Sequence, residues 1–214
     1  MLAGRLPEIA FAAALCVAGV AGLLADTRAL AAIPGMALAD APRSAGLALT
    51  SREGALFRCD AAMTDPGFSL QAELPRNAVA RACADLAALV LRDAPSHGFA
   101  HFIAAVAAQA RGTAGRVALH LTASQHFAPH EGWLAERRFL LIGQAEPALR
   151  ARLLPKEVAV LLTTQPGAEM LAGSLVGPLA AAPIRVIVLA EADKASAADR
   201  QRLLNILKRQ AGGA

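Results

Sequence analysis

The chain has 214 residues, of which 56% are hydrophobic and 18% charged, and an apolar fraction this large excludes a disordered chain. The 54 alanines, the single tryptophan and the lack of tyrosine argue for closely packed helices over a β-sandwich or β-barrel. The net charge of +4 comes from arginines scattered among acids, without the clustered cations and interleaved aromatics of a nucleic-acid-binding face.

Ile9 to Ala25 carries no charge over 17 residues, at the lower end of the roughly 17–25 residues that a helix needs to cross a bilayer. Arg5 precedes it; Asp26 and Arg28 follow. Residues 1–25 therefore read as an uncleaved signal anchor, a transmembrane helix with its N-terminus in the cytoplasm and the following domain in the periplasm. Two readings compete with it. A cleaved signal peptide would use Ala37-Leu38-Ala39, far beyond the apolar run, and a core helix would bury the run in protein. Cys16 is not a lipidation site, because Leu15 stands where a small residue is needed. Residues 26–43, with Pro34, Gly35 and Pro42, read as a linker. Residues 44–212 read as the helical domain.

The domain's first predicted helix spans Ser44 to Asp60 and ends before the turn signal Asp65-Pro66-Gly67. Asn77 to Arg92 places Val79, Cys83, Leu86 and Val90 on one helical face. Cys59 and Cys83 lie on these two helices, and an exported domain could bridge them. Two buried free thiols are the alternative. Gly98 to Arg111 directs Phe99, Phe102, Val106 and Ala110 to one side. Ala114 to Phe127 follows, with Val117 and Leu121 inward, then Glu131 to Ile142 with Trp133, Leu134, Leu140 and Leu141. Helices are also expected over Pro155 to Gln165, Gly167 to Val176 and Ala197 to Gln210, the last capped by Ser196. Pro183 to Ala190 is β-branched but has no second strand to pair with, so it reads as a buried helix.

Ala94-Pro95-Ser96-His97-Gly98-Phe99 aligns with Ala128-Pro129-His130-Glu131-Gly132-Trp133 at an offset of 34 residues, the period of a helix–turn–helix repeat. Gly112 falls at the turn within the repeat, Pro95 and Pro129 at its ends, and Ala104-Ala105 supplies the small pair inside its first helix. Ala108 stands where an aromatic is usual. Asn77 to about Ile142 thus resembles the tetratricopeptide repeat. The anchor, the segment Ser124 to Arg138 and the helix start Ala198-Asp199-Arg200-Gln201-Arg202 together resemble small membrane-anchored tetratricopeptide-like proteins of bacterial exopolysaccharide gene clusters. That resemblance implies an accessory role in polysaccharide synthesis or export and brings no catalytic residue.

All five histidines fall between His97 and His130. His97 and His101 are four apart on one helix, and His126 and His130 flank Pro129, so these four are the candidate metal ligands. No zinc-protease motif, serine-nucleophile elbow or phosphate loop is present. Trp133 with Arg137 and Arg138 is the candidate protein-binding set, since tryptophan and arginine are favoured at interface centres. The sequence therefore leads to a non-catalytic, membrane-tethered periplasmic scaffold that binds a protein partner and needs no cofactor. A histidine-based metal-binding envelope protein and a polysaccharide-modifying enzyme remain the alternatives.

Overall fold

A computed structural model describes residues 6–32, 49–176 and 182–212, and among these residues every regular element is a helix. The chain divides into two compact units: residues 1–95 with 106–113, and residues 96–105 with 114–214.

In the first unit, α1 (Leu6–Ala32) runs past the expected end of the anchor into the expected linker. Asp26, Thr27 and Arg28 do not break a helix, and the next strong breaker is Pro34. Phe11, Leu15, Val17, Val20, Leu23 and Leu24 of α1 are exposed. Among the described residues no helix is long and apolar enough to cross a membrane.

Helix α2 (Leu49–Thr64) passes the expected end at Asp60; the expected start, over residues 44–48, lies outside the described residues. Asp65 then caps a one-turn helix, α3 (Pro66–Leu70), its carboxylate accepting from the Gly67 amide at 2.6 Å, with Pro66 preset for the first helical position. Helix α4 (Glu73–Asp93) packs against α2. Ala55, Leu56, Cys59 and Met63 of α2 are buried, as are Ala80, Cys83, Leu86, Ala87 and Val90 of α4. A disulfide joins Cys59 to Cys83, whose Cα atoms are 5.7 Å apart. Arg52 of α2 donates to Asp93 at the end of α4 at 2.5 Å. Val79, expected on the apolar face, is only half-buried.

In the second unit, α5 (Gly98–Ala110) supplies its first turns, and Phe99 to Ala105 is buried apart from His101, which is half-buried. Gly112 ends the connection to the next helix at φ 68°, a conformation that glycine adopts without steric cost. Helix α6 (Ala114–Phe127) has the expected bounds, and α7 spans Gly132–Gly143. Helix α8 (Pro147–Leu162) starts two turns before the expected Pro155, which lies inside it. Pro147 occupies the first turn, and Pro155 lacks the amide that would pair with the carbonyl of exposed Ala151. Helices α9 (Gln165–Val176), α10 (Ala182–Lys194) and α11 (Ala197–Gly212) complete the unit. Helix α8 packs against α7, α9 and α10, and α9 against α11. The expectation that 183–190 is buried is corrected: α10 buries only Val188 and Ala192, leaving Val186 and Leu189 exposed. Its helical form fits the lack of any strand among the described residues to pair with it.

Two tests follow for the first unit. Cys59→Ser and Cys83→Ser should each cost about 3–4 kcal/mol of stability, the loop-closure value for a bridge with a sequence separation of 24, read as a lower denaturation midpoint that reductant imposes on the wild type but not on the variants. Hydrogen bonds from Arg52, then Arg92, hold the Asp93 carboxyl below its ordinary value of 3.8. A depressed acid stabilises the fold above its unfolded pKa, and that contribution vanishes as pH falls through the folded one. Arg52→Ala should therefore melt lower than wild type at pH 6, with the gap closing towards pH 2.

Candidate functional site

The candidate residues divide into three groups in the second unit. The first is a buried network. Arg138 is fully buried and donates through Nε to Glu157 Oε1 at 2.7 Å and through Nη2 to Oε2 at 3.0 Å. Nη2 also reaches the Ala128 carbonyl at 3.1 Å, and Nη1 reaches the carbonyl and hydroxyl of Ser124, each at 3.4 Å. Gln125 donates to Glu157 Oε1 at 2.8 Å and to the Leu153 carbonyl at 3.0 Å. The guanidinium thus caps the Ala128 carbonyl just past the end of α6, adds to the Ser124 carbonyl that already accepts from the Ala128 amide at 3.0 Å, and is itself held by α8. The expectation that Arg138 is a solvent-facing binding residue is corrected. Its position falls on the buried face of α7 with Leu134, Ala135, Leu141 and Ile142, and the planar fork finds a carboxylate there.

The second group is the surface around Trp133. Its indole is 42% exposed and meets Phe99 edge-on, with ring centroids 5.0 Å apart and planes at 71°. Phe99 in turn stacks on Phe102 at 6.3 Å. Trp133 therefore packs on Phe99 while keeping part of its surface exposed, and a partly exposed aromatic of this kind can serve as an anchor for a partner. Arg137 is half-buried on the same helix. Leu140, expected inward, is exposed.

The third group contains the histidines, and tertiary structure regroups them. His97 caps α5, its Nδ1 accepting from the Ala100 amide at 3.1 Å. His101 faces His120 of α6, Nδ1 to Nδ1 at 3.2 Å, and stacks on Phe127 at 5.6 Å with planes 16° apart. His126 meets Phe127 edge-on, with ring centroids 4.9 Å apart. His130 is exposed in the turn after α6. The proposed set His97, His101, His126 and His130 is thus not assembled: among the described residues no group of three or more His, Cys, Asp or Glu side chains is placed to hold a metal ion. His120 was absent from that set. Its pKa is lowered from 6.5 by burial, by His101 and by Arg116, in that order. The sequence signal that could have found it is its position, one turn after Arg116 and seven residues before Phe127, on the flank of α6.

The repeated turns meet their helices in a repeated way. Gly98 and Gly132 begin α5 and α7 one period apart. A Cβ on Gly98 would come within 2.4 Å of the Ala128 Cβ, at the end of α6. One on Gly132 would lie 3.6 Å from the Thr164 methyl, at the end of α8. The carbonyls of Ala128 and Leu162, again one period apart, both accept from arginine, Arg138 at 3.1 Å and Arg202 at 2.7 Å. No family model, curated protein or solved structure matches this chain.

Removing one partner of a buried ion pair leaves the other charge uncompensated, at a cost of about 3–5 kcal/mol. Arg138→Ala and Glu157→Ala should each lose that much. Replacing both by Arg138→Met with Glu157→Leu should recover most of it in a denaturant titration. Equal losses in single and double variants would contradict the pairing.

Proposed function

We propose that this chain is a non-catalytic scaffold, a tetratricopeptide-like helical domain tethered by α1 to a bacterial cytoplasmic membrane and binding a protein partner of exopolysaccharide synthesis or export in the periplasm. The observation that carries the repeat reading is the cadence of α5 to α8. Glycine-initiated helices start one period apart, and each initiating glycine lies close to the end of the helix that follows its own. Such pairs cannot bury their apolar faces alone, so they stack and present an extended surface suited to proteins or peptides.

Three further features favour the details. Although no helix among the described residues is long and apolar enough to cross a membrane, the exposed apolar side chains of α1 suit contact with lipid. The Cys59–Cys83 bridge suits an oxidising compartment, where disulfides persist. Trp133, packed edge-on against Phe99 and partly exposed, is the anchor assigned to the partner. The polysaccharide context rests on the resemblance carried by Ser124 to Arg138 and by the start of α11.

The test is mild crosslinking of the full-length protein in its native membranes, followed by mass spectrometry. A stoichiometric protein of a polysaccharide polymerase, transferase or export complex is expected, and Trp133→Ala should reduce its recovery at least tenfold while leaving the thermal midpoint within a few degrees. A preparation with no stoichiometric partner overturns the scaffold. The protein should remain in the membrane pellet after alkaline extraction; its release would remove the tether.

A further inference from the structure

We infer that His101 and His120 form a two-imidazole chelate for a borderline divalent transition-metal ion, with copper(II) preferred over zinc(II). The argument begins from where the two rings stand. They come from different helices, α5 and α6, yet their Nδ1 atoms are only 3.2 Å apart, with ring planes inclined at 38°. Two imidazole nitrogens about 2.0–2.1 Å from one metal stand about 2.8–2.9 Å apart when cis on a tetragonal copper(II) and about 3.3–3.4 Å apart on a tetrahedral zinc(II), and the observed spacing falls between the two. The spacing already present therefore matches the bite of a cation to within a few tenths of an ångström. Rotation of the rings about their side-chain bonds would turn the two lone pairs from each other towards a shared point.

The surroundings hold the pair in register. Phe127 lies flat against His101, and Phe99 to Ala105 on either side of His101 is buried. Both histidines are half-buried, so one side of the pair remains open for water ligands. No aspartate or glutamate occurs from Ala94 to His130, and among the described residues none joins the two histidines in a group of three metal-ligating side chains. The site thus offers nitrogen donors without carboxylate, which excludes magnesium and calcium and suits copper, nickel or zinc. Arg116 lies close enough to act on His120 and opposes any cation there. Only a metal with strong imidazole affinity overcomes that repulsion, and the ordering of divalent ions then puts copper(II) first. This site uses His120 and leaves out His97, His126 and His130.

The test is calorimetric titration of copper(II), zinc(II) and magnesium(II) into the untagged full-length protein in detergent at pH 7.5. One copper(II) ion per chain is expected, bound at least tenfold more tightly than zinc(II), with no binding of magnesium(II). His101→Ala and His120→Ala should each weaken copper(II) at least tenfold; His126→Ala and His130→Ala should stay within twofold. If either critical alanine variant fails to fold, His101→Gln or His120→Gln, which keeps a polar side chain of similar reach, takes its place. Electron paramagnetic resonance of the copper(II) form should show coupling to two equivalent imidazole nitrogens. Wild-type binding no tighter than that of the His101 and His120 variants, or a signal with fewer than two imidazole nitrogens, overturns the proposal.

Discussion

A charge with nowhere to go but onto another charge organises the second unit. Arg138 is fully buried on α7, and Glu157 of α8 is its counter-ion. Such a pair gains little over a well-packed apolar pair, because desolvation offsets most of the Coulomb attraction. It is intolerant of misplacement, however. The guanidinium also reaches Ser124 and Ala128 at the end of α6, and Gln125 of α6 reaches Glu157 and Leu153 of α8. A one-position slide of any of the three helices would leave a buried charge or carbonyl without its partner. The network therefore specifies the register of three helices whose apolar faces, rich in alanine and leucine, would otherwise pack in several ways.

Small residues make those contacts close. Gly98 begins α5 so near Ala128 that no side chain fits there. Gly167 begins α9 against the backbone of Leu161, 2.4 Å from where its Cβ would place an atom, and donates to the Thr164 hydroxyl at 3.1 Å. In the first unit the equivalent constraint is covalent, the bridge between α2 and α4. The two units thus fix helix register by different chemistry, one by a disulfide and one by a buried ion pair.

The histidines show how local spacing misleads. His97 and His101, four apart, share a helix face on paper, but His97 lies at the cap, where its ring accepts from the Ala100 amide. His101 lies a full turn inside α5, where the nearest imidazole belongs to α6. Helical periodicity relates residues within one helix and says nothing about which face meets which neighbour. The same holds for α7. The sequence groups Trp133, Leu134, Leu140 and Leu141 alike, yet only Leu134 and Leu141 are buried, whereas Trp133 and Leu140 are exposed and Arg138 is inside.

By itself the sequence determined the all-helical character, through alanine content and the lack of strand formers. It also determined most helix boundaries from α5 onward, through Gly98, Gly112 and Pro129, because caps and breakers act over a single turn and need no partner. It placed Cys59 and Cys83 on two helices joined by a loop. Only the tertiary structure decided that these cysteines are joined, that Pro155 lies within a helix rather than at its start, that α10 is largely exposed, and that Arg138 is a buried clamp while His120 faces His101. Those outcomes depend on contacts between residues about twenty or more positions apart or on the burial of a whole face. The free energy of such contacts is set by the assembled core, which no local window contains.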